Sequence, residues 1–251
     1  MNPEEYDKMY KQENTYWWFQ GRKDILFRMM KYHNLLEDGK ARVLDIGCGT
    51  GLILEEITDQ TFAIGMDFSM KALGFCQKRN LKHLVRGDVS NLPIASGGLE
   101  LVLALDLLEH IEDDGALMKE IHRILKPGGY LLATVPAHPS LWSGHDEALH
   151  HFRRYTKQTF SRLVRESRFS IKKYSYVISF TFYPIFMFRM AQKLYRFLIK
   201  SRDKPKTHII ILPKIINSLL IKVLELEGWI LQYLNLPFGV SLLCIARKKK
   251  N

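Results

Sequence analysis

A chain of 251 residues that is 47% hydrophobic and 25% charged is globular and holds enough apolar material to bury the core of one large α/β domain with additions. Its formal charge of +11 is uneven: residues 170–251 carry 15 Lys/Arg against 3 Asp/Glu, net +12, and residues 1–169 carry 22 against 23, net −1, so any affinity for anionic lipid, nucleic acid or an acidic substrate belongs to the last third. The scattered Cys48, Cys76 and Cys244 exclude a disulfide framework and match no metal spacing; with a polar start from Met1 to Glu5 that is no signal peptide, a cytoplasmic compartment is expected.

Residues 3–34 read as two helices joined through Tyr16-Trp17-Trp18-Phe19-Gln20-Gly21-Arg22. This aromatic run is either a clamp that holds the helices to a sheet or a lid over a ligand, with Arg22 offering a bidentate contact to a carboxylate. Strand one, Arg42 to Ile46, runs into Gly47-Cys48-Gly49-Thr50-Gly51, and a helix pattern begins at Leu52. Glycines at alternate positions let the backbone turn sharply and let a ligand approach without Cβ atoms in the way. Strand two, Phe62 to Met66, ends in Asp67, 20 residues after Gly47, a suitable place for an acid that grips ribose hydroxyls. A dinucleotide fingerprint would need glycine at Leu52, one residue after Gly51. Asp45, just before the loop, repels a pyrophosphate and suits a cation.

An acid-then-glycine loop of this form resembles the first motif of the class I S-adenosylmethionine-dependent methyltransferases, a Rossmann-like family whose cofactor carries a sulfonium and an ammonium. The resemblance implies that Asp45, Gly47, Cys48, Gly49, Thr50 and Gly51 hold the methionine end and Asp67 the ribose. The aromatic run before the core is similar to an element of one subgroup, where it implies Trp18 and Arg22 as part of a lid.

After strand two come a helix from Ser69 to about Arg79 and strand three, His83 to Arg86, ending at Gly87-Asp88-Val89. By the resemblance Asp88 meets the adenine amino group, while Phe68 and Val89 flank the ring; Asn91-Leu92-Pro93-Ile94 fits the stretch that follows. Strand four, Leu99 to Leu105, is almost wholly apolar, as a strand covered on both faces should be. Leu105 and the following Asp106-Leu107-Leu108-Glu109-His110-Ile111 resemble the family's lining of the methionine end. A helix from about Asp113 to Leu125 is stopped by Lys126-Pro127-Gly128-Gly129, and strand five runs from Tyr130 to Val135.

Four of the nine histidines then fall between Pro136 and Tyr155, in a loop that leaves the carboxyl end of a strand, where open α/β sheets bind ligands. Its Trp-Ser-x-His-Asp…His-x-Arg-Arg-Tyr pattern resembles a subgroup associated with membranes or cell-envelope sugar chemistry. An oxygen nucleophile gains from losing its proton during attack, which makes His145 with Asp146, His151 and His110 the candidate catalytic groups. Each of these histidines also has an ordinary structural reading. Trp142, Arg153, Arg154 and Tyr155 are candidates for the substrate, the arginines as an anion clamp. A metal site from His138, His145, Asp146 and His150 or His151 matches no standard spacing, and no metal is expected.

A helix from Lys157 to Ser167 leads to strand six, Phe169 to Tyr176. Ile178 to Phe188 is apolar but too short to span a bilayer. Arg189, Lys193, Arg196 and Lys200 share one helical face, a basic stripe suited to a membrane interface or to solvent. A basic hinge with Pro205 precedes a second helix from Pro213 to about Leu234, and the two could form an interfacial hairpin; Phe238 to Ala246 reads as the last strand.

The expected fold is α/β: a Rossmann-like seven-stranded, mostly parallel sheet with helices on both faces, its strand order and reversed last strand implied by the family. The expected division is 1–40 helical cap, 41–177 S-adenosylmethionine-binding core, 178–237 amphipathic insert, and 238–251 last strand and basic tail. The expected activity is methyl transfer from S-adenosylmethionine to a small or lipid-linked acceptor at oxygen, with a peripheral seat on the inner face of the cytoplasmic membrane. Three rivals remain: an RNA methyltransferase, favoured by charge alone; a non-catalytic cofactor-binding or membrane-docking protein; and a nicotinamide oxidoreductase, disfavoured by Asp45 and the glycine spacing.

Overall fold

The computed structural model describes residues 3–36, 39–89, 92–199 and 212–250. Seven strands form one sheet in the order β3-β2-β1-β4-β5-β7-β6. They are β1 (Arg42–Ile46), β2 (Phe62–Asp67), β3 (Leu84–Arg86), β4 (Leu99–Leu105), β5 (Leu125–Pro136), β6 (Phe169–Val177) and β7 (Ser241–Lys248). The strand pairs are parallel except at β7, which runs antiparallel to both β5 and β6. The order reverses between β1 and β4, so the crevice at their carboxyl ends is the topological switch point, where open α/β sheets hold ligands.

Nine α-helices surround the sheet among the described residues: α1 (Pro3–Gln12), α2 (Trp17–Tyr32), α3 (Leu52–Thr58), α4 (Met70–Lys78), α5 (Asp114–Ile124), α6 (Gly144–Ala148), α7 (Lys157–Glu166), α8 (Phe182–Ile199) and α9 (Lys214–Tyr233). One apolar cluster joins α2, α3 and α9 to one sheet face. A second joins α5 and α7 to the other. β4 lies between them and is buried from Leu99 to Ala104, which is why its sequence is almost continuously apolar. Helix starts are set by local chemistry: Ser69 Oγ accepts from Ala72 N at 3.3 Å and Asp113 Oδ1 from Ala116 N at 2.8 Å.

Two expectations change at the sheet. Lys126-Pro127-Gly128-Gly129 is not a turn before strand five; it lies inside β5, which starts at Leu125. The register of β4 against β5 shifts between Leu99 and Leu101, and Gly128 takes φ +85° in that irregular stretch. The loop of histidines also contains a helix, α6, closed by a Ser143–Asp146 capping box.

The expected basic stripe changes at Arg189, and the free hairpin changes at its second helix. A single helix, α8, runs through Arg189, whose side chain is only 17% exposed because it turns inward to donate to Leu141 O, Ser143 Oγ and Asp146. The side chains of Lys193 and Arg196, and the hinge from Lys200 to His208, lie outside the described residues, as does Asn91. α9 packs on α2 instead of forming one arm of a free hairpin. Gly21 permits this: a Cβ there would stand 2.3 Å from Leu224 Cδ1. Gly228 on α9 lies equally close to Arg28 and Asp24 of α2, so the two glycines let the helices approach at both turns. Asn217 completes the seam by accepting from Trp17 N at 2.9 Å and donating to Thr15 O at 2.8 Å. Buried Glu227 of α9 accepts from the backbone of Ser179 at 2.8 Å and from Ile178 and Phe180, tying the insert to the end of β6. No helix among the described residues is long and apolar enough to cross a membrane.

Candidate active site

The loop after β1 sits at the switch point. Gly47, Gly49 and Gly51 have φ of +72°, +57° and +87°, so all three need the left-handed freedom of glycine. A Cβ on Gly47 would meet Leu107 Cδ1 at 2.9 Å, so the loop also passes close to the segment after β4. Asp67, at the end of β2, accepts from Gly49 N at 3.0 Å and Ser69 N at 2.8 Å. It therefore shapes the loop directly. Burial raises its pKa, opposed by those backbone donors.

Asp45 is 2% exposed, and burial pushes its carboxyl up to about 7, against the pull of Arg22 and with a further push from Asp67. Arg22 reaches over from α2. Its Nη2 lies 3.0 Å from Asp106 Oδ2 and donates to Thr134 Oγ1 at 3.1 Å. Thr134 in turn donates to Asp106 Oδ1 at 2.9 Å. Asp106 takes φ +50°, an uncommon value for a non-glycine residue, and this network holds it there. Trp18 is half-buried against Trp17, with ring centroids 5.6 Å apart, and Leu105 is half-buried at the end of β4.

Asp67 pairs in register with Arg86, so Asp88 and Val89 continue beside Phe68. Phe68 is 70% exposed, with the Arg86 guanidinium 5.9 Å from its ring centroid. A flat exposed ring next to an acid-bearing loop is what an adenine needs for stacking.

Thr50 is held in a way the local pattern did not suggest. Its hydroxyl donates to Glu13, at the end of the first helical segment. Arg79 donates to Thr50 O at 3.0 Å and pairs with Glu13 at 2.7 Å and with Glu55. The N-terminal segment is thus pinned directly to the glycine loop. Cys48 Sγ lies 3.9 Å from Cys76 Sγ behind that loop; this contact and burial push the Cys48 thiol up.

The second half of the site comes from the histidine loop. Asp146 is 0% exposed and accepts from Ser143 N at 2.9 Å, His151 Nδ1 at 3.0 Å and Arg154 Nε at 2.7 Å, with Arg189 at 3.4 Å. Burial alone would raise its pKa, but His151, Arg154 and Arg189 hold the carboxyl well below the usual carboxylate range. Asp146 therefore orients His151, five residues on, and not its neighbour His145. Burial, then Arg189, pushes His145 down to about 4. His151 packs edge-on against His110, with centroids 4.6 Å apart, and burial, then His151, pushes His110 down to about 4.

Three substrate candidates are corrected. The Arg154 side chain is buried and spent on Asp146 and on Ala137 O at 3.0 Å, so it is no open anion clamp. Tyr155 is buried and donates to Asp114 at 2.7 Å, a structural post under the loop. Arg153 is partly exposed but bridges Asp114 at 3.1 Å and Glu112 O at 2.6 Å. Trp142 is half-buried at the end of a short 3-10 turn. The residues considered for a metal do not assemble as a set: His138 stacks on Tyr176, with ring centroids 5.2 Å apart, and its Nε2 lies 3.0 Å from Gly239 O. Instead, Glu109, His110 and His151 bring their ligand atoms within 4.8 Å of one another, the one such group among the described residues. Glu109 escaped sequence reasoning because its partners lie one residue and 42 residues away.

A reversed β7 beside a parallel sheet, with an acid–glycine loop at the switch point, defines the class I methyltransferase fold. The family described as "Methyltransferase domain" matches residues 44–133. A probable S-adenosylmethionine-dependent methyltransferase of Mycolicibacterium smegmatis is 24% identical over 164 residues, 64% of this chain and 62% of that protein. A demethylmenaquinone methyltransferase of Oceanobacillus iheyensis is 28% identical over 166 residues, 62% of this chain and 66% of that one. The chain thus spans less than two thirds of the length of either relative. Among solved structures, a methyltransferase of Thermotoga maritima described as a possible histamine N-methyltransferase superposes with a TM-score of 0.60 at 16% identity, covering 98% of this chain and 96% of that one. Residues 44–133 thus match the methyltransferase-domain family, and the chain carries the class I, Rossmann-like fold of the S-adenosylmethionine-dependent methyltransferases.

Proposed function

We propose that the protein transfers a methyl group from S-adenosylmethionine to an oxygen atom of a small or lipid-linked acceptor. The observation that carries this reading is the meeting, at one switch point, of a cation-suited acid–glycine loop with a histidine held by a buried aspartate. The cofactor supplies a methyl group already activated on a sulfonium. The chain's own residues bind and align. Gly47, Gly49 and Gly51 leave room for the methionine part, Asp45 faces its ammonium, and Arg22 stands above as partner for its carboxylate. Asp67 takes the ribose hydroxyls, while Phe68, Asp88 and Val89 take the adenine.

In the transfer an acceptor C–O–H loses its proton, an O–CH3 bond forms and the S–CH3 bond breaks. The sulfonium becomes the neutral thioether of S-adenosylhomocysteine, and one proton is released. His151 donates through Nδ1 to ionised Asp146, which leaves its Nε2 as the nitrogen able to take the acceptor's proton. Trp18 and the α2 lid exclude water from this reaction.

The lipid-linked half of the reading rests on surface. α9 exposes Ile215, Leu219, Leu226, Trp229 and Tyr233 in the part of the chain that carries net +12. Apolar side chains backed by positive charge suit an anionic bilayer surface. The demethylmenaquinone methyltransferase among its relatives is named for an acceptor of this amphiphilic kind.

The test incubates the protein with methyl-labelled S-adenosylmethionine and separate lipid, water-soluble and RNA fractions of its source cell. Label in a lipid-extractable ether or ester is the expected result; label in RNA, or no transfer to any fraction, would overturn the reading. Asp67→Ala should weaken S-adenosylmethionine binding at least tenfold, about 1.4 kcal/mol or more, by calorimetry. Unchanged affinity would remove Asp67 from the ribose.

A further inference from the structure

Glu109 carries an acid where an acid is costly. It is 1% exposed, and its Oε2 meets no hydrogen-bond donor. A buried carboxylate oxygen left in this way is strongly unfavourable unless something positive completes it. The neighbouring acids are already served. Asp106 takes Arg22, Asp114 takes Arg153, and Asp146 takes Arg154 and Arg189. Among the described residues no Lys or Arg pairs directly with Glu109: burial raises its pKa well above the usual carboxylate range, and Arg22 and Arg154 oppose that only from a distance.

Two imidazoles stand there instead. His110 follows Glu109 in the same 3-10 turn, and His151 comes from the loop after α6. The backbone fixes this meeting, since Phe152 N donates to Glu109 O at 2.7 Å. One ligand atom from each residue lies within 4.8 Å of the others. Donors bound to one cation at ~2.1 Å lie about 3 to 4 Å apart, so a small rotation of the side chains closes the set. His151 has its Nδ1 committed to Asp146 at 3.0 Å, the carboxylate–histidine relation that orients metal-binding imidazoles. Asp146 is itself locked by Ser143 N and Arg154.

We propose that Glu109, His110 and His151 bind a divalent first-row cation of the zinc class through one carboxylate oxygen and two imidazole nitrogens. Two imidazoles exclude a site built for magnesium or calcium, which prefer oxygen donors. Three protein ligands leave a position open, and the acceptor hydroxyl occupies it. With the cation bound, His151 is a ligand and no longer the base: the cation would lower the hydroxyl's pKa, the proton would leave to solvent, and the oxygen would attack the methyl group as the S–CH3 bond breaks. The use of the open position rests on the methyl-transfer reading above; the binding of the cation does not.

The experiment uses the full chain, stripped with a chelator, and titrates Co2+ by its visible absorption and Zn2+ by calorimetry. One Co2+ per chain, displaced by Zn2+, is expected. Glu109→Gln and His151→Asn should each weaken binding a hundredfold or more, while His138→Asn should leave it unchanged. Without metal, Glu109→Gln should match or exceed the wild-type thermal midpoint, because the amide fills the same volume with no carboxylate to desolvate; this separates lost binding from lost folding. Zn2+ should raise the midpoint of the wild type and not of that variant. Absence of saturable Co2+ binding, or equal affinity in Glu109→Gln, would overturn the site. Cation binding without methyl transfer would sink only the functional reading, and methyl transfer in a chain that binds no cation would sink only this one.

Discussion

Asp45 shows how one buried side chain sets a pH dependence. Its carboxyl titrates at about 7 in the cofactor-free fold and near the ordinary aspartate value when unfolded. The folded state therefore holds a proton that the unfolded state lacks between these values. The stability this contributes is full below the unfolded pKa and is lost as pH rises through about 7. A cationic ligand wants the opposite, an ionised Asp45. S-adenosylmethionine binding at pH 6 should therefore expel close to one proton, and affinity should fall as pH drops below about 7. Calorimetry at pH 6 in two buffers of different ionisation enthalpy measures this. Binding with no proton released would show that Asp45 does not face the cation.

At the scale of elements, the decisive contact is α2 against α9. The aromatic run reads as either a clamp on the sheet or a lid, and Trp17 lies in the core. Yet Gly21, within that run, meets α9. Gly21→Ala drives a Cβ into Leu224 and should cost about 1–3 kcal/mol, as overpacking in a dense core does. Gly74→Ala on α4 is the control: no atom stands within 4 Å of the added Cβ, and helix propensity should make it neutral or stabilising by up to ~1 kcal/mol. Urea unfolding of both variants decides the matter. Equal midpoints would mean that α9 is not part of the cooperative unit.

At the scale of the whole molecule, charge and apolar exposure lie in the same third of the chain. The inward turn of Arg189 removes it from any membrane-facing stripe, so the proposed bilayer contact falls to the outer face of α9. Leu226→Glu with Trp229→Glu should reduce binding to vesicles of mixed neutral and anionic lipid at least tenfold, with S-adenosylmethionine affinity unchanged. Both side chains are 53% exposed, so the fold should survive the change. Undiminished vesicle binding would remove α9 from the membrane.

Sequence by itself determined the β–α alternation of the core, because burial on both faces demands apolar strands such as Leu99 to Leu105, and local periodicity records that demand. It also determined the loop from Gly47 to Gly51, since three left-handed positions accept little but glycine. Only the tertiary structure decided which side chains share a charge or a proton. Asp146 bypasses His145 for His151, Arg189 crosses from α8 to the same aspartate, and Glu13 comes from 37 residues upstream to hold Thr50. Such pairings depend on distances across elements and leave no period in the sequence. Glu109, one of several acids between Asp106 and Asp114, gains its meaning from what the fold brings opposite it.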